Sequence, residues 1–143
     1  MMWPELDIAL STWTLPRERV KNGRKHEVPL SNQALEIIKK APRTSDKYVF
    51  SLNGRGPFSS FSDRRAQLDQ SVNIASWTIH DLRRTVASGL AKLGTDLAVI
   101  EKVLNHTSGS FAGIVGVYQR HEFSNEKRAA LQQWADHVEG LVS

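Results

Sequence analysis

His80 and Arg83 stand three residues apart in a stretch whose apolar residues Leu82, Val86, Leu90 and Leu93 recur at helical spacing. Both therefore project from one face of a helix, away from most of the apolar stripe. An imidazole beside a guanidinium can hold one anion jointly, and the planar fork of arginine suits two oxygens of the same group. Such a pair is also an ordinary surface feature, and alone it specifies no reaction. Further candidates follow in chain order: Lys21 beside Asn22-Gly23, His106 at the end of an apolar helix, and Tyr118 after the glycine-interrupted run Gly113-Ile114-Val115-Gly116-Val117. Around Lys21, the residues Arg17, Arg19, Arg24, Lys25 and His26 crowd together with Glu18 the one acid among them. That density suits phosphate neutralisation, and it equally suits a solvated hairpin.

The elements that must position these residues are legible in outline. Thr12-Trp13-Thr14-Leu15 and Glu27-Val28-Pro29-Leu30 are β-prone runs on either side of Asn22-Gly23, whose residues tolerate positive φ, so a β-hairpin is predicted across 12–30 with Arg17 and Arg19 in its strand. Ser31 caps a helix carrying Ala34, Leu35, Ile38 and Ala41, which Pro42 stops. Tyr48-Val49-Phe50 reads as another short strand, with Tyr48 in the core, and Ser60 to Ser71 as a helix after the turn-rich Asn53 to Pro57. The His80–Leu93 helix ends at Gly94, and Thr95 caps a second helix over about 96–105 that buries Leu97, Ile100, Val103 and Leu104. Ser124 or Asn125 caps a last helix with Ala129, Leu131, Trp134 and Val138; Trp77 and Trp134 read as packing anchors. The predicted class is α+β, mostly helical, with a small antiparallel sheet at one edge.

The bulk numbers narrow the function classes. A chain of 143 residues holds one domain with a proper core. Apolar residues make up 40% and charged residues 24%, an ordinary globular balance, and no run approaches the roughly 18 apolar residues of a membrane span. The absence of cysteine excludes a disulfide framework and a thiolate metal site, and the start lacks the layout of a signal peptide, so a cytoplasmic location is expected. A formal charge of +4 and a pI near 9.6 favour a polyanionic partner.

Taken in order, the motifs resemble those of the tyrosine recombinase, or phage integrase, family. The matching strings are Val20-Lys21-Asn22-Gly23-Arg24 leading into Val28-Pro29-Leu30-Ser31, then His80-Asp81-Leu82-Arg83-Arg84-Thr85, then Val103-Leu104-Asn105-His106, then Val117-Tyr118. Gly116-Val117-Tyr118 followed by Glu126-Lys127-Arg128 and Trp134-Ala135 is similar to the integrases of temperate phages and genomic islands. The resemblance runs from about Trp3 to the C-terminal helix. It implies an integrase-like catalytic core with a small antiparallel hairpin at one edge. It further implies that the chain is the later part of that domain, because the family's first arginine box and its N-terminal DNA-clamping domain lie before the point where this sequence begins.

The resemblance also implies a mechanism. Tyr118 attacks a backbone phosphorus, giving a 3′-phosphotyrosyl link and a free 5′-hydroxyl; a phenol of pKa about 10 needs its proton removed as it attacks, and His80 is the resembling base. Arg83 and His106 stabilise the pentacoordinate phosphorane, and Lys21 protonates the departing 5′-oxygen. Arg19, Arg24 and Lys25 are expected to bind DNA. No metal or nucleotide cofactor is implied, since the phosphotyrosine conserves the energy of the broken bond. Partners would be double-stranded DNA attachment sites and other recombinase protomers, four on DNA in the full-length enzyme, and the helix from Asn125 to Val138 docks either on a neighbouring protomer or back on its own chain. Short of one arginine, the fragment is expected to cut DNA poorly.

Other readings stand beside this one. A non-catalytic DNA-binding or assembly remnant would keep the fold without the full site. A metal-dependent hydrolase would use His80, His106 and His121, although no His-x-x-x-His or acidic ligand cluster accompanies them. His26, His121 and His137 read as surface or helix-cap residues, and Arg84 as pairing with an acidic neighbour or a phosphate. Asn105 and Thr107 are candidates to orient His106.

Overall fold

The computed structural model describes residues 1–106 and 122–142. Three antiparallel strands, β1 (Leu6–Asp7), β2 (Thr12–Leu15) and β3 (His26–Pro29), form one sheet in sequence order. Leu6 pairs with Trp13, and β2 pairs with β3 from Thr12↔Pro29 to Leu15↔His26. The expected hairpin is present, but its connection is long. Pro16 has no N–H to donate to a ladder, so β2 stops at Leu15 and Arg17–Arg19 form a 3-10 turn rather than a strand. Gly23 takes φ +66, the left-handed conformation expected of the turn.

Helix α1 (Asn32–Lys40) begins where the sequence places it: Ser31 Oγ accepts the Ala34 N–H at 3.2 Å. Its apolar face buries Leu35 and Ile38 against Leu30 and Val49, with Trp3, Leu6 and Trp13 packed around them. Tyr48-Val49-Phe50 is not a strand. Tyr48 makes one isolated bridge to Met2, and the half-buried ring lies under Lys47. Val49 supplies the core contact instead.

Helices α2 (Phe61–Ser71), α3 (Ile79–Lys92), α4 (Leu97–Val103) and α5 (Ser124–Val142) complete the described fold. A second core joins Leu90, Val99, Ile100 and Ala130, flanked by Val86, Val103, Phe123 and Trp134. Trp134 is the anchor expected of it: its ring lies on Gly89, where an added Cβ would collide with Cζ3. Leu82 and Leu97, expected to be buried, are 54% and 61% exposed, because no described element covers that side of α3 and α4. The residue entering α4 is Asp96 rather than Thr95, whose N–H closes the preceding Gly94 turn by bonding the Leu90 carbonyl. Trp77 is only half-buried; its indole donates to Asp69 and Arg65 lies over its ring.

Helix α5 folds back on its own chain. Lys127 Nζ donates to the Glu27 carbonyl on β3 at 2.9 Å, Arg128 caps the Leu10 and Ser11 carbonyls, and Gln132 accepts from the first backbone N–H of α1. No helix among the described residues is long and apolar enough to cross a membrane.

Candidate active site

Arg83, His106 and the loop that carries Lys21 meet at the end of α4. Asn105 has φ +51, and the chain there closes as a Schellman turn: the His106 N–H bonds the Glu101 carbonyl at 2.9 Å and the Asn105 N–H bonds Lys102 at 3.2 Å. Asparagine tolerates this conformation better than any branched residue. The turn fixes the backbone from which His106 projects. Its Nδ1 then lies 2.7 Å from Glu101 Oε2, which leaves Nε2 as the ring atom available to a ligand. Glu101, one helical turn earlier, is thus the orienting partner of His106; Asn105 acts on the turn, and Thr107 lies outside the described residues.

Arg83 reaches the same turn from α3. Its Nη2 donates to the Leu104 carbonyl at 2.6 Å, and its remaining donors are available to an anion. His80 lies in the first turn of α3 and is exposed. That turn is held by Asp81, whose carboxylate accepts from the Thr78 hydroxyl and backbone N–H. Those bonds, with Arg84 nearby, hold the Asp81 carboxyl below its ordinary value. Arg84 pairs with Asp81 at 3.4 Å, as its place around the helix suggests.

Lys21 is exposed in the loop between β2 and β3, and its neighbour Asn22 bonds Asn105, Nδ2 to Oδ1, at 3.0 Å. The loop carrying Lys21 is therefore tied to the turn carrying His106. The other basic residues have local duties. Arg19 is paired with the buried carboxylate of Glu5, which the Trp13 indole also reaches at 3.1 Å. Burial opposes ionisation of Glu5, but the Trp13 and Arg19 bonds outweigh it and hold the carboxyl below its usual range. Lys25 pairs with Glu27 at 2.6 Å, and Arg24 is exposed, its N–H held by Asn22 Oδ1. Tyr118 and His121 lie outside the described residues. No cluster of three His, Asp or Glu that could hold a metal occurs among the described residues.

His26 departs from the surface role expected of it. It is half-buried at the start of β3. Burial pushes its pKa down, the charges of Lys127 and Arg83 push the same way, and the Val103 backbone and the charge of Glu122 oppose them. A signal for this was present: His26, Val28 and Leu30 alternate along the strand, which puts the imidazole on the inward face. Lys127 is 3% exposed, and burial lowers its pKa against the attraction of Glu122 and Glu27.

The Phage integrase family matches residues 1–125. The chain is 29% identical over 149 residues to Prophage integrase IntA of Escherichia coli (strain K12), covering 99% of this chain and 34% of that protein. It is 30% identical over 145 residues to Prophage integrase IntZ of the same organism, covering 99% and 35%. A match at 26% identity links it to Putative protein IntB, also of Escherichia coli (strain K12), over 96% of this chain and 39% of that protein. The chain thus spans about a third of the length of these curated relatives. No solved structure matches it.

Proposed function

The chain belongs to the phage integrase family, and from that premise we propose that residues 1–143 are part of a tyrosine recombinase catalytic domain whose nucleophile is Tyr118. The observation that carries the reading is the convergence on one turn: Arg83 seated on Leu104, His106 oriented by Glu101, and the Lys21 loop tied to Asn105. The meeting of Arg83, His106 and the loop that carries Lys21 at one turn, from three separate parts of the sequence, supports the reading.

In this reading Tyr118 Oη attacks the DNA phosphorus and its proton passes to His80. Arg83 and His106 stabilise the added negative charge on the non-bridging oxygens, and Lys21 gives a proton to the leaving 5′-oxygen. Attack by that hydroxyl on the phosphotyrosine reverses the steps and reseals the strand. Arg24 and Lys25 add phosphate contacts beside Lys21, whereas Arg19 is already committed to Glu5 and contributes less. Loss of one charge-stabilising donor from such a site costs about 10²–10³ in rate. On DNA, protomers assemble around paired attachment sites.

The test is a nicked suicide duplex carrying an attachment site, on which a slow covalent protein–DNA adduct accumulates. Tyr118→Phe abolishes the adduct, and Arg83→Ala slows it by about 10²–10³-fold. An adduct that survives Tyr118→Phe overturns the proposal. DNA binding with no adduct, even after a preceding segment from a full-length relative is joined to the chain, identifies a non-catalytic binding module instead.

A further inference from the structure

Helices α3 and α4 end in the same backbone turn. At α3 the Thr95 N–H bonds the Leu90 carbonyl at 3.0 Å and the Gly94 N–H bonds Ala91 at 3.1 Å, with Gly94 at φ +83. At α4 the same two bonds run from His106 to Glu101 and from Asn105 to Lys102, with Asn105 at φ +51. Glycine is the residue such a turn favours on backbone grounds. Asparagine there keeps the conformation and adds a side-chain amide, whose Oδ1 accepts from Asn22 Nδ2 at 3.0 Å. We propose that Asn22 and Asn105 are positioning residues for Lys21, a paired latch that holds the loop carrying the proton donor against the turn carrying His106. This rests on the reading of Lys21 as the donor to the leaving 5′-oxygen.

The loop is shaped to make that bond. The Gly23 N–H bonds the Val20 carbonyl at 2.9 Å and Gly23 takes φ +66, which folds Lys21 and Asn22 into a tight turn. Asn22 Oδ1 accepts the Arg24 N–H at 3.0 Å, so its acceptor end is occupied and its NH2 end faces Asn105. Both asparagines are half-buried, whereas Lys21, one residue earlier, is exposed. A lysine ammonium rides on a flexible four-carbon stem, and restraining the backbone beneath it limits where the proton can be delivered. As the bond from phosphorus to the 5′-oxygen breaks, the electron pair moves to that oxygen and the Lys21 ammonium gives it a proton, becoming an amine. The latch acts on this step, while Arg83 and His106 are held by bonds of their own.

Two suicide duplexes separate that step from the rest: one has the ordinary 5′-oxygen at the scissile position, the other a bridging sulfur. A thiol ionises near pH 8.5, about the cysteine value, so the sulfur duplex releases its leaving group without an acid. In the full chain, Lys21→Ala slows adduct formation on the oxygen duplex and leaves the sulfur duplex near its original rate. Asn22→Ala and Asn105→Gly each slow the oxygen duplex by about tenfold, the scale of one hydrogen bond, with the sulfur rate and DNA affinity unchanged. Combining the two slows it no further than either alone, because both remove the same bond. With the oxygen-selective loss present in Lys21→Ala, three results in the asparagine variants overturn the latch alone: an unchanged oxygen rate, equal slowing of both duplexes, or additive losses in the double variant. If Lys21→Ala slows both duplexes alike, or the unsubstituted chain forms no adduct, the reading of the site fails and the latch falls with it.

Discussion

At the residue scale, His26 ties stability to pH. Its folded-state pKa is below the ordinary histidine value because the ring is buried and faces Lys127 and Arg83, with the Val103 carbonyl and Glu122 only partly offsetting them. The unfolded chain therefore takes up a proton on this ring first as pH falls. Stability contributed by the neutral ring is whole above about pH 6.5, the unfolded value, and declines as pH drops below it towards the depressed folded value. Urea unfolding at pH 7.5, 6.5 and 5.5 should show this decline, and His26→Gln should flatten it. The depressed carboxyls of Glu5, Glu27, Asp81 and Asp136 act in a separate and lower window, where stability is lost as pH falls through the carboxylate range. Arg83 supports a second residue-level prediction. A lysine there keeps the charge but cannot hold Leu104 and a phosphate through one planar fork, so Arg83→Lys should lower the adduct rate by at least about tenfold while binding DNA nearly as well.

At the element scale, two left-handed residues set the corner between α3 and α4 and the end of α4. Gly94 has φ +83 with open space where a Cβ would go, so Gly94→Ala meets only backbone strain, about 1–2 kcal/mol. Asn105 has φ +51 and also bonds Asn22. Asn105→Gly should therefore keep the turn and the fold while releasing the Lys21 loop, and thermal melts beside loop-amide exchange would separate the two effects. The helix at Ser31 was readable because capping is local chemistry: a hydroxyl three residues before the N–H it receives. The expected strand at Tyr48 failed for the opposite reason. β-prone residues make a strand only where another strand lies alongside, and here Met2 alone does so.

At the scale of the whole molecule, Trp134 joins α5 to α3. Its ring fills the space over Gly89, so Trp134→Ala should cost about 3–5 kcal/mol, read as a lowered urea midpoint. Gly89→Ala is a sharper probe. A helical alanine is favoured by up to about 1 kcal/mol over glycine, yet its Cβ would collide with the indole and cost about 1–3 kcal/mol by overpacking. Net destabilisation of Gly89→Ala, relieved when Trp134 is replaced by leucine, would verify the contact. The sequence alone determined the order of the motifs, the face shared by His80 and Arg83, the Ser31 cap and the hairpin, all of which depend on spacing over a few residues. Tertiary structure decided the rest. Asn22 meets Asn105 across 83 residues, and Arg83 on α3 reaches the Leu104 carbonyl at the end of α4. Periodicity marks the apolar side of a helix but not what covers it, and so Leu90 is fully buried while Leu82, on the same stripe, stands half in solvent.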